Sequence, residues 1–292
     1  MRPAFAAAAA ASVLVLSAAA CAPQDDTSTS SASGSASGSA SASCSTSSLA
    51  TKTSGKLTIG TDNPAYDPWF SDDNPSNGKG FESAVAYAVA KQLGFDKSEV
   101  VWQKVAFNNA FAAGSKSFDF DINQVSINAD RKKAVDFSSG YYDVRQAVIA
   151  LKGSKAAKAA SIADLKKVKL GAQVGTTSLD YINDVIKPTQ DVAVYQKNDL
   201  ATAALKNGQV DAIVYDLPTA FYITSAELTD AKIVGQFENT GDGQEQFGLV
   251  LDKGSKLTSC VSKAVDALRA DGTLASIEKT WLSDAVDAPV LK

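Results

Sequence analysis

Two charged residues of opposite sign stand where the chain could present them to one small ligand. Arg131 follows Ser126 by five residues, within SINADRKKAVDFS over residues 126–138. Its planar guanidinium can hold a carboxylate through two parallel hydrogen bonds. The Ser126 hydroxyl adds another donor if the intervening loop curls around the same group. Asp216 closes the apolar run VDAIVYD over residues 210–216 and can accept from an ammonium group. Thr176 and Thr177 precede SLDYINDVI over residues 178–186, which reads as a short helix whose first backbone N–H groups can also face a carboxylate. A fixed cation, a fixed anion and hydroxyl donors together suit a zwitterion. Each residue also has a plainer use. Arg131 heads a basic cluster with Lys132 and Lys133 that a solvated helix start would explain, Asp216 can cap the turn before Leu217 and Pro218, and Thr176 can serve as an N-cap.

Composition narrows the chemistry further. The 292 residues contain no His, which removes the commonest general base and the commonest metal ligand. No catalytic residue, metal or cofactor is expected. A formal net charge of -4 without a dense Lys/Arg stripe argues against a nucleic-acid surface. With 45% hydrophobic and 21% charged residues, the chain has material for two packed domains.

That material is unevenly spread. Residues 1–20 begin Met-Arg, continue through an Ala-rich apolar stretch with Val13, Leu14, Val15 and Leu16, and end in three Ala before Cys21. A basic start, a short apolar centre and small residues at the break read as a secretory signal. The stretch is too short and Ala-rich for a stable membrane span. The small residues before Cys21 resemble a bacterial lipobox, with Ala18 where such boxes usually carry Leu, so Cys21 is the expected lipid attachment site. Residues 21–54 are dominated by Ser, Ala, Gly and Thr and read as a flexible tether that cannot bury enough apolar area to fold. The folded body is expected to begin near Lys56. With Cys21 lipidated, Cys44 and Cys260 remain, and in an oxidising compartment they form a possible disulfide; two free thiols are the other option.

The elements that must position the charged residues can be read from periodicity. KLTIGTD over residues 56–62 predicts a strand with a polar end. A helix over residues 81–94 puts Phe81, Ala84, Val85, Ala88, Val89 and Leu93 on one face, with Gly94 as its stop. Two segments echo one another: AFAAG leads into FDFDIN over residues 118–123, and AALKNG leads into VDAIVYD. Each is a helix end, a Gly turn and a buried strand with polar groups at its carboxyl end, where open α/β sheets bind ligands. Strand-like runs at residues 147–151 and 247–251 flank the middle third and could carry the chain between two lobes. Residues 255–282 read as two helices broken at Asp271 and Gly272.

Taken together, residues 56–282 resemble the family-three bacterial extracellular solute-binding proteins, the amino-acid receptors of ABC importers. The carrying motifs are Ser126, Arg131, the run Val135-Asp136-Phe137-Ser138 and the pair Tyr141-Tyr142. Gly60-Thr61-Asp62, Gly80-Phe81-Glu82, Val174-Gly175-Thr176-Thr177 and Asp271-Gly272-Thr273-Leu274 support them. The resemblance implies an α/β, two-lobed, periplasmic-binding-protein-like (type II) fold with two hinge strands. Residues 55–149 plus 248–292 would form lobe 1 and residues 150–247 lobe 2. It implies a ligand site of Asp62, Tyr66, Phe107, Gln124, Ser126, Arg131, Thr176 and Asp216, with Arg131 and Asp216 on opposite lobes. Tyr66 and Phe107 correspond to aromatics that sandwich the ligand side chain in relatives, and Asp62 to a polar contact. Tyr215 adjoins the site. Trp69 is an extra aromatic in a loop one residue longer than usual, and Arg145 stands where many relatives have Gly, as a salt-bridge or solvent-facing residue or a selector of acidic side chains. The implied function is capture of a free polar L-α-amino acid by a lipid-anchored monomer on the extracytoplasmic face of the bacterial cell membrane, for delivery to an ABC transporter permease. A dehydratase-type enzyme on the same fold is the alternative, with Asp62 or Glu82 as its acid. A peptidoglycan-cleaving protein would need a further domain, and a sensor would need a following membrane helix or kinase segment.

Overall fold

The computed structural model of the chain describes residues 44–238, 244–282 and 288–292. All of them fall within one compact unit of residues 42–292. The expected signal, Cys21 and most of the tether lie outside the described residues.

Chain order follows the periodicities. Strand β1 (Leu57–Thr61) is buried at every position, and α1 (Phe81–Gln92) follows its loop. The helix buries Phe81, Val85, Ala86, Val89 and Ala90, so its inward face is turned from the expected Ala84 and Ala88 toward Ala86 and Ala90. Gly80 enters it at φ 94, and a Cβ there would meet the Trp69 carbonyl oxygen at 2.5 Å; only glycine lets the loop lie this close. Then come β2 (Val100–Lys104), α2 (Phe107–Ala110), β3 (Phe120–Asp121), α3 (Arg131–Ala134) and β4 (Val135–Asp143). The chain continues through β5 (Gln146–Leu151), α4 (Ile162–Leu165), β6 (Leu170–Gln173), α5 (Thr177–Tyr181), β7 (Ala193–Tyr195), α6 (Asn198–Lys206), β8 (Ala212–Asp216), α7 (Leu217–Tyr222) and β9 (Ala231–Phe237). It closes with β10 (Gln246–Asp252), α8 (Thr258–Ala270), α9 (Thr273–Trp281) and β11 (Val290–Leu291), the break between α8 and α9 falling at Gly272 in the left-handed region.

These strands form two sheets, ordered β2-β1-β3-β10-β4 and β11-β9-β5-β8-β6-β7. Without β11, and with the second order read from β7, the two are one pattern: three parallel strands, a fourth antiparallel to them, and a fifth antiparallel to the fourth. The echo seen in the sequence is therefore structural. Gly60 pairs with Asp121 in one sheet and Gly171 with Ile213 in the other. Asp119 accepts from Thr58 N at 2.7 Å, and Asp211 accepts from Lys169 N at the same distance. Each sheet has its own buried apolar cluster, the first centred on Trp69, Phe81 and Phe247, the second on Val148, Val214 and Phe237.

The lobe boundaries differ from the expected ones. Residues 146–151 pair with β8 and β9, so β5 belongs wholly to the second sheet and the first crossing is Val144 and Arg145. The second crossing lies between β9 and β10, and the two run side by side, Val144 N donating to Glu245 O at 2.9 Å. The strand-like runs at 147–151 and 247–251 start just beyond the crossings. The chain end also returns: β11 pairs with β9 in the second sheet. Finally, residues 44–54, expected as free tether, lie against the first lobe. Cys44 and Cys260 of α8 are disulfide-bonded, Lys52 N donates to Asp119 at 2.6 Å, and Leu49 packs on the core.

Candidate functional site

Arg131 opens α3 immediately ahead of β4, and the residue is 7% exposed. The guanidinium lies 4.4 Å from the Phe111 ring centre and 5.8 Å from that of Phe107, a geometry in which the aromatic faces stabilise the cation. Nη1 donates to Ser126 O at 2.7 Å and Nη2 crosses to Gly175 O of the second lobe at 2.9 Å. Burial lowers its pKa, opposed by the charges of Asp180, Glu245 and Asp216. A guanidinium has five N–H donors, so two carbonyl contacts leave capacity for a carboxylate. Gly175 stands at φ 76, and a Cβ there would meet Asn108 Oδ1 of the first lobe at 2.1 Å; the lobes approach closely only because it is glycine.

Asp216 ends β8 opposite Gln146 of β5. Gln146 Nε2 donates to its Oδ1 at 2.7 Å, and Gln146 Oε1 accepts from Ser178 Oγ at 2.6 Å. Burial, and next the neighbouring Glu245, push the Asp216 carboxyl up to about 8. One cavity is lined by Phe107, Gln124, Arg131, Thr176, Thr177 and Asp216, together with Gln173, Ser178 and Asn198. The two charged residues singled out by sequence thus border one space, with the lobes closed over it. Further bridges close it: Trp69 Nε1 donates to Thr219 at 2.9 Å, Lys197 Nζ to Asn63 O at 2.7 Å, and Tyr66 OH to Asp199 at 3.3 Å.

The other expected residues divide. Ser126 Oγ lies 3.3 Å from Thr177 Oγ1 across the cleft. Thr176 caps α5, accepting from Leu179 N at 3.1 Å and donating to Gln173 O at 2.8 Å; Thr177 is the threonine whose hydroxyl faces Ser126. Gln124, at φ 49, lines the cavity, but its backbone and side-chain amides both donate to Glu82. Asp62 lies beside Phe107 and Lys197; burial raises its pKa. Tyr215 turns its hydroxyl to Asn198 O, 2.7 Å away, within the second lobe. Trp69 is fully buried between Phe81, Tyr142 and Phe247. Arg145 is exposed on the first crossing, its Nη1 3.3 Å from Gln236 Oε1. Glu82 is completely buried, accepts from Tyr141 OH, and is pushed by burial to about 7, which separates this acid from the cleft.

Sequence reasoning missed Gln146 and Glu245, and it named Thr177 for the helix start rather than for its hydroxyl. Gln146 reaches Asp216 only through antiparallel pairing 70 residues apart, and Glu245 sits in a polar segment that reads as an ordinary loop. Among the described residues no group of three or more His, Cys, Asp or Glu could hold a metal, and no helix is long and apolar enough to cross a membrane.

Two lobes with twin strand orders, closed on a cavity bordered by opposite charges, define a hinged small-molecule binding protein. Residues 57–284 match the bacterial extracellular solute-binding proteins, family 3, and the chain belongs to that family. It is 28% identical over 233 residues to the L-cystine-binding protein TcyJ of Escherichia coli K12, covering 79% of this chain and 84% of that protein. Among solved structures, an ancestral arginine-binding protein bound to arginine is 33% identical, with a TM-score of 0.64 over 78% of this chain and 98% of that one. An ancestral amino acid-binding protein described as a precursor of cyclohexadienyl dehydratase is 29% identical, with a TM-score of 0.64 over 78% and 95% of the two chains.

Proposed function

We propose that the protein captures a free, polar L-α-amino acid between its lobes and hands it to the permease of an ABC importer. The observation that carries this reading is the placing of Arg131 from one lobe and Asp216 from the other on a single cavity. Arg131 takes the α-carboxylate, aided by the hydroxyls of Ser126 and Thr177. Asp216, held by Gln146, takes the ammonium. Because the two ends are anchored on different lobes, ligand stabilises the closed form over the open one. Asp62, Tyr66 and Phe107 meet the side chain. The relatives' names, cystine and arginine among them, accord with an amino-acid cargo.

The wider setting follows from the leader: residues 1–20 direct export, Cys21 carries lipid, and a monomer works at the outer face of the cell membrane. Loss of palmitate-analogue labelling on Cys21→Ala tests the anchor. A thermal-shift screen of the common L-α-amino acids with L-cystine and L-ornithine tests the cargo, since a ligand that binds only the native state raises its stability. Arg131→Ala should weaken the best binder by orders of magnitude, because a buried ionic partner is removed. An unchanged affinity rejects the reading, and turnover of any panel member by the purified protein would support the dehydratase alternative instead.

A further inference from the structure

Glu245 stands on the second crossing, one residue before β10, and its side chain lines, with Ser126 and Thr177, a groove that shares Thr177 with the cavity of Arg131 and Asp216. Its Oε1 accepts the Ser126 hydroxyl proton at 2.5 Å. Gln146 Nε2 lies 3.5 Å from Oε1 and 3.4 Å from Oε2. A serine hydroxyl carries one proton, so Ser126 donating to Glu245 presents only lone pairs elsewhere. The 3.3 Å contact between Ser126 Oγ and Thr177 Oγ1 must then run from Thr177 to Ser126. Both hydroxyl protons point along one chain toward Glu245, away from a carboxylate gripped by Arg131. The Glu245 charge also acts on both Arg131 and Asp216, the two poles of the site.

We propose that Glu245 is an internal carboxylate that competes with an incoming amino acid's α-carboxylate for the Ser126 and Thr177 hydroxyl donors, and thereby sets the affinity of the site. The inference rests on the amino-acid reading above. Amino-acid entry requires the chain of hydroxyl protons to reverse: Ser126 releases Glu245, Thr177 releases Ser126, and both donate inward. Glu245 swings toward the hinge-side groove that it lines with Asp180 and Glu238. The site therefore binds less tightly than its donor set allows, which favours release of cargo.

The test compares wild type, Glu245→Gln, Glu245→Ala and Arg131→Ala by calorimetry, using the panel amino acid that gives the largest thermal shift, and its decarboxylated amine. Removing the competitor frees donors to a charged acceptor, so both Glu245 variants should bind the amino acid about tenfold more tightly. The amine, which has no carboxylate to gain the donors, should gain only what relief of Asp216 from the Glu245 charge supplies, severalfold less than the amino acid. Equal or weaker amino-acid binding by both variants overturns the proposal. An equal gain for the amine also overturns it, because the effect would then lie in Asp216 or in lobe closure rather than in the hydroxyl donors. If Arg131→Ala abolishes binding while the Glu245 variants match wild type, only the Glu245 inference fails. If Arg131→Ala binds as wild type, or no panel member shifts any of the proteins, the reading of the site fails with it.

Discussion

Acidification should weaken amino-acid binding steeply, through Asp216. In the closed, ligand-free form burial and the Glu245 charge hold this carboxyl up to about 8, so below that pH it is mostly neutral there. The ligand's ammonium favours the ionised form, so binding at neutral pH must expel the proton. For a group that titrates near 8 in the closed, ligand-free form and stays ionised in the complex, the apparent dissociation constant scales with one plus the ratio of protonated to ionised Asp216. Between pH 8 and pH 6 this amounts to a loss of about fiftyfold, and at pH 7 binding releases about 0.9 proton. The sign follows from the direction of the shift: the carboxyl is raised in the free state and lowered in the complex, so affinity climbs with pH and levels off above 8. Calorimetry at pH 6, 7 and 8, repeated at pH 7 in phosphate and in Tris, reads the affinity and the proton release. Asp216→Asn should bind weakly at every pH with no buffer-dependent heat. A wild-type affinity that stays flat from pH 6 to 8 would refute the role given to Asp216.

Two further expectations concern stability. Glu82 is buried and raised to about 7 by that burial, so the native state holds its proton above the pH at which the unfolded chain loses it. Stability should fall as pH rises from about 4.5 to 7, and Glu82→Gln should flatten that slope in urea titrations; an unaltered slope would place the linkage elsewhere. The Cys44–Cys260 bridge spans a sequence separation of 216 residues. Chain entropy sets about 5 kcal/mol as the upper limit of its contribution. Cys44→Ser with Cys260→Ser should therefore lower the melting temperature under non-reducing conditions and leave amino-acid affinity intact, because the bridge lies on α8 away from the cleft.

Much of the fold was legible because it rests on local signals. The β1 strand, the α1 helix with its Gly94 stop and the Gly272 break depend on periodicity and on backbone conformations that few residues tolerate. That Arg131 and Asp216 face one cavity was legible for a related reason: each follows a strand or loop signal, and a family motif surrounds Arg131. What sequence left hidden is non-local. Gln146 earns its place only by facing Asp216 across two antiparallel strands, and Thr177 rather than Thr176 faces Ser126 because the N-cap position consumes the first hydroxyl. The crossings were displaced because β5 and β10 read as strands whichever sheet they join. Residues 44–54 read as tether because their anchoring comes from Cys260, Asp119 and Asp252, far along the chain.

The twin sheets also expose a residue the fold does not require. Asp121 sits opposite Gly60 where Ile213 sits opposite Gly171, and it is completely buried beside Val105 and Phe118. Among the described residues neither of its carboxylate oxygens has a hydrogen-bond partner. Lys116, the nearest compensating charge, donates instead to Asn109 O and Ala112 O. Burial, then the charges of Glu82 and Asp62, raise the Asp121 pKa well above the usual carboxylate range. A buried polar group without a partner costs about 1–3 kcal/mol, and the second lobe shows that an apolar branched side chain serves at the same place. Asp121→Val, similar in volume, should thus raise the melting temperature by roughly 2 to 4 °C per kcal/mol recovered, most strongly at alkaline pH, where the carboxyl is forced toward ionisation. A destabilised Asp121→Val would mean that this acid serves the first lobe in a way its twin does not need.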